Sequence, residues 1–199
     1  LVFDNSFFDC LSEYVEAAPT IKELFEDLPS IKSGGSSHKY RCDVSSQFVE
    51  KYIRKKDDIL TQHAARPHNE NDLKIYKLVL KAKKKGKNLR YIDIPEELQT
   101  HSNTTSFLDR YKALDYGSVS HTVVAHIAKD GHYYIHPDLR QNRSITVREA
   151  ARIQGFPDDF YFEHSRTAAF KQIGNAVPPI LSKKIAMGVI DFLRGQKGE

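Results

Sequence analysis

An α+β fold, helices with one β-hairpin, is predicted by three features of this sequence. Two capping boxes, Thr20-Ile21-Lys22-Glu23 and Thr146-Val147-Arg148-Glu149, each precede apolar residues at helical spacing. One stretch, Thr122 to Ile135, changes to period two around Asp130-Gly131, a dipeptide that closes hairpins. With 40% hydrophobic and 28% charged residues over 199 positions, the chain has a globular composition, which excludes disordered, collagen-like and disulfide-scaffold classes.

After the first box, Ile21, Leu24, Phe25 and Leu28 form the stripe of a short amphipathic helix that Pro29 ends. Ser30 to Lys39 is rich in Gly and Ser and makes the best boundary in the chain. Helices are expected near Gln47–His63 and Asn69–Lys85, the second stopping at Gly86. Asn88 to Asp115 is weakly periodic and reads as loops with one short strand. The hairpin pairs Thr122–Ile127 with His132–Ile135. A helix then runs from Thr146 through Ile153 to a stop at Gly155. Gln172-Ile173-Gly174-Asn175-Ala176 reads as a tight turn presenting an Asn at a helix start. Pro178-Pro179 opens a last helix striped by Leu181, Ile185, Val189 and Phe192. Four such side chains, fully buried, contribute on the order of 6–10 kcal/mol in gross transfer terms, so the stripe calls for a partner surface.

Charge is uneven. The net charge is +4, but the first thirty residues hold seven acids (Asp4, Asp9, Glu13, Glu16, Glu23, Glu26, Asp27) against Lys22, which leaves about +10 on the remainder. Lys74, Lys77, Lys81, Lys83, Lys84, Lys85, Lys87 and Arg90 follow one another with no acid between Asp72 and Asp93. Such a run is either a solvated helix face or a polyanion contact, and composition leaves both open. Cys10 and Cys42 provide neither a disulfide framework nor metal-ligand spacing. His121, His126, His132 and His136 surround the hairpin, but strand parity puts His126 on the opposite face from the other three, which argues against a metal site. No apolar run approaches the roughly 20 residues of a membrane span and no signal segment opens the chain, so a cytoplasmic setting is expected. The sequence begins at Leu1 and its single methionine is Met187, so it reads as part of something longer.

Two long motifs, RSITVREAARIQGFPDDFYF (Arg143–Phe162) and QIGNAVPP (Gln172–Pro179), closely resemble the last two conserved motifs of the DNA (cytosine-5) methyltransferases, in the family's order. Three weaker matches precede them. APTIKELFEDLPSI (Ala18–Ile31) is similar to the segment leaving the catalytic lobe. HAARPHNENDLKIYKL (His63–Leu78) and SHTVVAHIAKDGHYYIHP (Ser120–Pro137) are similar to the start and end of a bacterial target-recognition domain. Val119 departs from the pattern, which has a proline there.

The resemblance implies three segments: residues 1–39 as exit from the catalytic lobe and linker, 40–142 as target-recognition domain, and 143–199 as a hinge motif with a helix returning to that lobe. It also implies that the flanking helices complete a Rossmann-like α/β methyltransferase domain. Enzymes of the family flip a cytosine from the duplex, attack it with a cysteine thiolate and methylate C5 from S-adenosyl-L-methionine. Their nucleophile belongs to a Pro-Cys loop, whereas Cys10 follows Asp9 and Cys42 follows Arg41. The Glu-Asn-Val motif, the Gly-rich cofactor loop and the Gln-Arg-Arg-type motif are absent too. No catalytic residue and no metal ligand is therefore assigned.

What the resemblance leaves for this chain is recognition. Thr122, in the family's Thr-hydrophobic dipeptide, becomes the candidate backbone contact beside the flipped nucleotide; His121, Lys129, Arg143, Lys83, Lys84 and Lys85 are further candidate DNA contacts. Arg148, Glu149 and Arg152 match a motif that braces the recognition domain by ion pairs. Gly174, Asn175 and Ala176 match residues that approach the amino-acid end of the cofactor. The expected partners are double-stranded DNA and an upstream catalytic lobe, in cis or as a separate subunit. The expected setting is bacterial and nucleoid-associated, within a restriction-modification system or as an orphan. The alternatives are a catalytically empty DNA-binding or regulatory module and, less favoured, a tRNA-methylating relative.

Overall fold

The computed structural model of the chain describes residues 6–103 and 105–195. Among them lie seven α-helices: α1 (Ser6–Ser12), α2 (Ile21–Phe25), α3 (Gln47–Tyr52), α4 (Glu70–Lys84), α5 (Val147–Ile153), α6 (Arg166–Asn175) and α7 (Pro179–Gly195). Both capping boxes form. The hydroxyls of Thr20 and Thr146 accept from the backbone N–H of Glu23 and Glu149, whose carboxylates accept in return from the cap N–H groups. Ser46, Asn69 and Ser165 cap α3, α4 and α6 in the same way with one bond each. Each cap satisfies a first-turn donor that no helical carbonyl reaches. Gly86 and Gly155, at φ +72° and +74°, end α4 and α5 in the left-handed region that favours glycine.

No β-strand forms among the described residues. This overturns the α+β expectation, its hairpin and the Rossmann-like α/β part implied with it. Pairing is limited to isolated bridges, Ser36 with Ala64, Ala113 with Ile135 and Ile135 with Ser144. The Asp130-Gly131 turn does exist: Gly131 has φ +77° and Asp130 Oδ1 accepts from the His132 N–H at 2.9 Å. What precedes it is not a strand, because Ala125–Ala128 winds into a 3-10 helix. The backbone after the turn pairs elsewhere. The Ile135 N–H donates to the Lys112 carbonyl and the Leu114 N–H to the Ile135 carbonyl, both at 2.9 Å, while the Ile145 N–H donates to the Tyr134 carbonyl at 3.0 Å. Alternating apolar residues signal half-buried extended backbone, but not which segment lies beside it.

Three other elements differ from expectation. The helix expected over Gln47–His63 stops at Tyr52 because distant segments claim the backbone beyond it. The Ile53 carbonyl accepts from the Asp158 N–H at 2.7 Å, and the carbonyl of Gln62, itself at φ +56°, accepts from the Arg148 N–H at 3.2 Å. Within Asn88–Asp115, 3-10 turns at Tyr91–Asp93 and Glu96–Leu98 replace the expected strand. Asn175 ends α6 rather than starting a helix.

Two cores result. One unites α2, α3, α5 and α6 through residues such as Phe25, Val49, Ala151 and Phe170, with Val123 and Tyr134 among them. The other, rich in tyrosine, packs Ile75, Tyr76, Val79 and Leu80 of α4 on Tyr91, Tyr111 and Ile135. Helix α1 lies along α7: Phe7 meets Phe192 edge-on at 5.9 Å, the Tyr14 hydroxyl donates to Asp191, and Gly188 admits Leu11. Phe192 is covered in this way, whereas Leu181, Ile185 and Val189 of the same stripe stay 37–47% exposed. No helix among the described residues is long and apolar enough to cross a membrane.

Candidate functional site

Thr122 and the Gly174-Asn175 pair, 52 positions apart in the chain, occupy neighbouring elements. The 3-10 helix Ala125–Ala128 lies on α6, and the contact is made through a missing side chain. A Cβ on Gly174 would stand 2.5 Å from the Val124 carbonyl carbon and 2.6 Å from Ala125 Cα, closer than any real Cβ contact. Gly174 is helical, so the glycine answers a need for close approach rather than for a special φ. On the loop this contact supports, Val123 is buried while Thr122 on one side and Val124 on the other face outward.

The Asn175 side chain is exposed and makes no hydrogen bond among the described residues. Ala176 caps α6, its N–H donating to the Ile173 carbonyl, and Gln154 Nε2 reaches the carbonyls of Ile173 and Ala176 at 3.0 and 3.4 Å. Because this is a helix C-terminus, its field favours a cation rather than the carboxylate that a helix start would attract.

The candidate cations divide sharply. Lys84 and Lys85 are exposed, as are Lys74, Lys77 and Lys81, which share the solvent face of α4. Lys83 stands one turn after Val79, on the core side, half-buried and 4.0 Å from Asp115. Lys129 is exposed at the end of the 3-10 helix. His121 Nε2 donates to the Tyr133 carbonyl at 2.9 Å, and burial, with Lys112 and Lys83 nearby, pushes its pKa down to about 4. It is neutral at pH 7 and gives no charge to a phosphate. Arg143 is withdrawn altogether. It is fully buried, and its five N–H donors are spent on Ile31 O, Ser144 O, Gln141 Oε1 and the two oxygens of Glu149. It is corrected from a DNA contact to part of the interior.

That interior is a charged hub on α5. Arg152 spends its donors on the Leu24 carbonyl and on bidentate pairs with Asp27 and Asp158, at 2.5–3.0 Å. Arg148 holds Thr61 and the carbonyls of Pro157 and Phe160, 3.6 Å from Asp158. Burial works to raise the Glu149 pKa, but Arg143 outweighs it and holds the carboxylate far below its usual range. The hub ties together residues 24–31, 61, 141–149 and 157–160. Sequence reasoning misses Asp27 and Asp158: Asp27 stands among the surplus acids of the first thirty residues with no mark of burial, and Asp158 lies within the Arg143–Phe162 motif without a sign of its partner.

Cys10 is partly buried in α1 and Cys42 is exposed; both are free thiols. Among the described residues no three His, Cys, Asp or Glu side chains converge to hold a metal.

Comparison with known proteins adds the following. The family model for C-5 cytosine-specific DNA methylase matches residues 8–190. A type II methyltransferase of Bacillus paralicheniformis is 45% identical over 183 residues, which are 88% of this chain and 41% of that protein. DNA (cytosine-5)-methyltransferase 2 of Arabidopsis thaliana is 34% identical over 186 residues, 82% of this chain and 12% of its own. A crystal structure of a putative DNA modification methyltransferase encoded within a prophage of E. coli superimposes with a TM-score of 0.57 at 26% identity, covering 89% of this chain and 48% of that one. The chain thus spans less than half the length of each of these relatives.

Proposed function

Since the chain belongs to the C-5 cytosine-specific DNA methylase family, we propose that it supplies DNA recognition and one wall of the cofactor pocket to a DNA (cytosine-5-)-methyltransferase. The attacking cysteine comes from residues outside this chain. One observation supports the reading: the loop that follows Thr122 packs at Gly174 on the end of α6 that bears Asn175, so the residue proposed to touch the nucleotide and the one proposed to touch the cofactor lie on adjoining elements. The sequence contains no Pro-Cys pair, and its two cysteines follow Asp9 and Arg41.

The residues at the α6 terminus suit S-adenosyl-L-methionine. When bound, that cofactor supplies the methyl group. Asn175 offers an unspent amide with both donor and acceptor atoms, and the carbonyl end of α6 favours an ammonium. Thr122 faces outward to a phosphate beside the flipped nucleotide, and the open lysine face of α4 with Lys129 supplies sequence-independent attraction. The exposed Leu181, Ile185 and Val189 of α7 form the surface on which the catalytic lobe docks.

Two measurements test this. Duplex binding by the 199-residue chain, followed against salt, should give a log–log slope near −4 to −5 for ~4–6 phosphate contacts. Lys84→Gln and Lys85→Gln should each flatten it by about 0.9, and Lys83→Gln by less. Mixing the chain with a polypeptide carrying the Pro-Cys and Gly-rich loops should restore methyl transfer, lost again in an Ile185→Asp variant that still folds. Absence of duplex binding at low salt overturns the DNA reading. Binding without reconstitution favours a catalytically empty recognition module instead.

A further inference from the structure

The Thr122-Val123-Val124 segment has no β-ladder to hold it, yet it is fixed by a single buried hydroxyl. Tyr134 Oη donates to the Thr122 carbonyl at 2.9 Å and accepts from the Val124 N–H at 3.1 Å. One oxygen therefore bridges the two peptides flanking Val123, so that Val123 turns into the core and Thr122 turns out. The anchor is itself rigid. Tyr134 is fully buried, its N–H donates to the Gly131 carbonyl at 2.9 Å, its carbonyl accepts from Ile145, and its ring stacks on His121 at 4.8 Å. Gly174 presses on the next peptide, Val124–Ala125. A phenylalanine would fill the same volume without burying a hydroxyl, which must find partners or lose stability. The partners this hydroxyl finds are the backbone groups that aim Thr122.

We propose that Tyr134 is a positioning residue for DNA engagement, acting only through Thr122. This rests on the reading of Thr122 as a nucleic-acid contact. Its specific content is that the Tyr134 hydroxyl presets the loop before DNA arrives, so that no ordering of the loop is needed on binding.

The test is a double-mutant cycle on the full 199-residue chain, Tyr134→Phe and Thr122→Ala singly and together, with duplex affinity at low salt as readout. Thr122→Ala is expected to weaken binding roughly five- to tenfold, as for one lost hydrogen bond, and Tyr134→Phe by a similar factor. In the Thr122→Ala background, Tyr134→Phe should change nothing further. Hydrogen exchange gives a second measure independent of DNA: the Val124 amide should be protected in the parent and lose protection in Tyr134→Phe. If Thr122→Ala binds like the parent, the contact reading itself fails and the proposal with it. If Thr122→Ala weakens binding but Tyr134→Phe does not, only the positioning role fails. An equal loss from Tyr134→Phe in both backgrounds makes the tyrosine merely structural. An unchanged Val124 amide likewise overturns the bracket.

Discussion

Arg143 and Glu149 face each other as a bidentate pair, two N–H···O bonds of 2.7 Å, with neither side chain more than 1% exposed. Glu149 also accepts from the Thr146 N–H at 2.7 Å, so one carboxylate both caps α5 and neutralises an interior arginine. Glu149→Gln keeps a side chain suited to the capping box but strands the Arg143 charge. Breaking one side of a buried pair costs about 3–5 kcal/mol, which lowers the melting temperature by roughly 10 °C in a chain of this size. Replacing both residues by apolar ones of similar volume should lose much less. A Glu149→Gln variant melting within about 2 °C of the parent would show that the pair contributes little.

Gly174→Ala provides a prediction whose sign is diagnostic. In an ordinary helix the change gains about 0.5–1 kcal/mol, because alanine is the better helix former. At this position the added methyl meets Val124 and Ala125 backbone that cannot rotate away, so overpacking of about 1–3 kcal/mol is expected instead. Thermal melting gives the sign, and amide resonances of Val124 and Ala125 report whether the loop moves. A stabilised variant with unmoved resonances would contradict the close contact.

The local signals in the sequence proved readable. Thr20-x-x-Glu23 and Thr146-x-x-Glu149 start helices, and Gly86 and Gly155 stop them, because each acts on backbone within one turn. What could not be read was pairing at a distance. Thr122–Ile127 has the alternation of a strand, but its would-be partner is taken by Lys112 and Ile145, and a tyrosine hydroxyl from position 134 replaces the ladder. For the candidate site, the motif residues could be named from the sequence but not their surroundings. Arg143 looks the same in sequence whether it meets a phosphate or Glu149, and Lys83 differs from Lys84 only by 100° of helix turn.

Stability should fall on mild acidification, because several histidines are buried in the neutral form. Burial pushes the His136 pKa down to about 3, with Glu149 opposing and Arg143 assisting. Burial also pushes His68 to about 4, with His132 and Arg66 adding to the effect, and His121 to about 4, with Lys112 doing the same. In the unfolded chain each titrates near 6.5. Above that pH neither state binds these protons and the contribution is constant. As pH falls below about 6.5 the unfolded state takes up protons that the folded state refuses, so the loss runs from about pH 6.5 down to about 4 for His68 and His121 and to about 3 for His136. Glu149 and Asp27, whose pKa values are lowered in the fold, extend the loss below the carboxylate range. Since His121 is only partly buried, the expected drop in melting temperature from pH 7 to pH 5 is on the order of 5–10 °C. Calorimetry at pH 5.5 in buffers of different ionisation enthalpy should find about two to three protons taken up on unfolding. A melting temperature that holds steady or rises over that interval, or proton release on unfolding, would mean that these imidazoles are charged inside the fold.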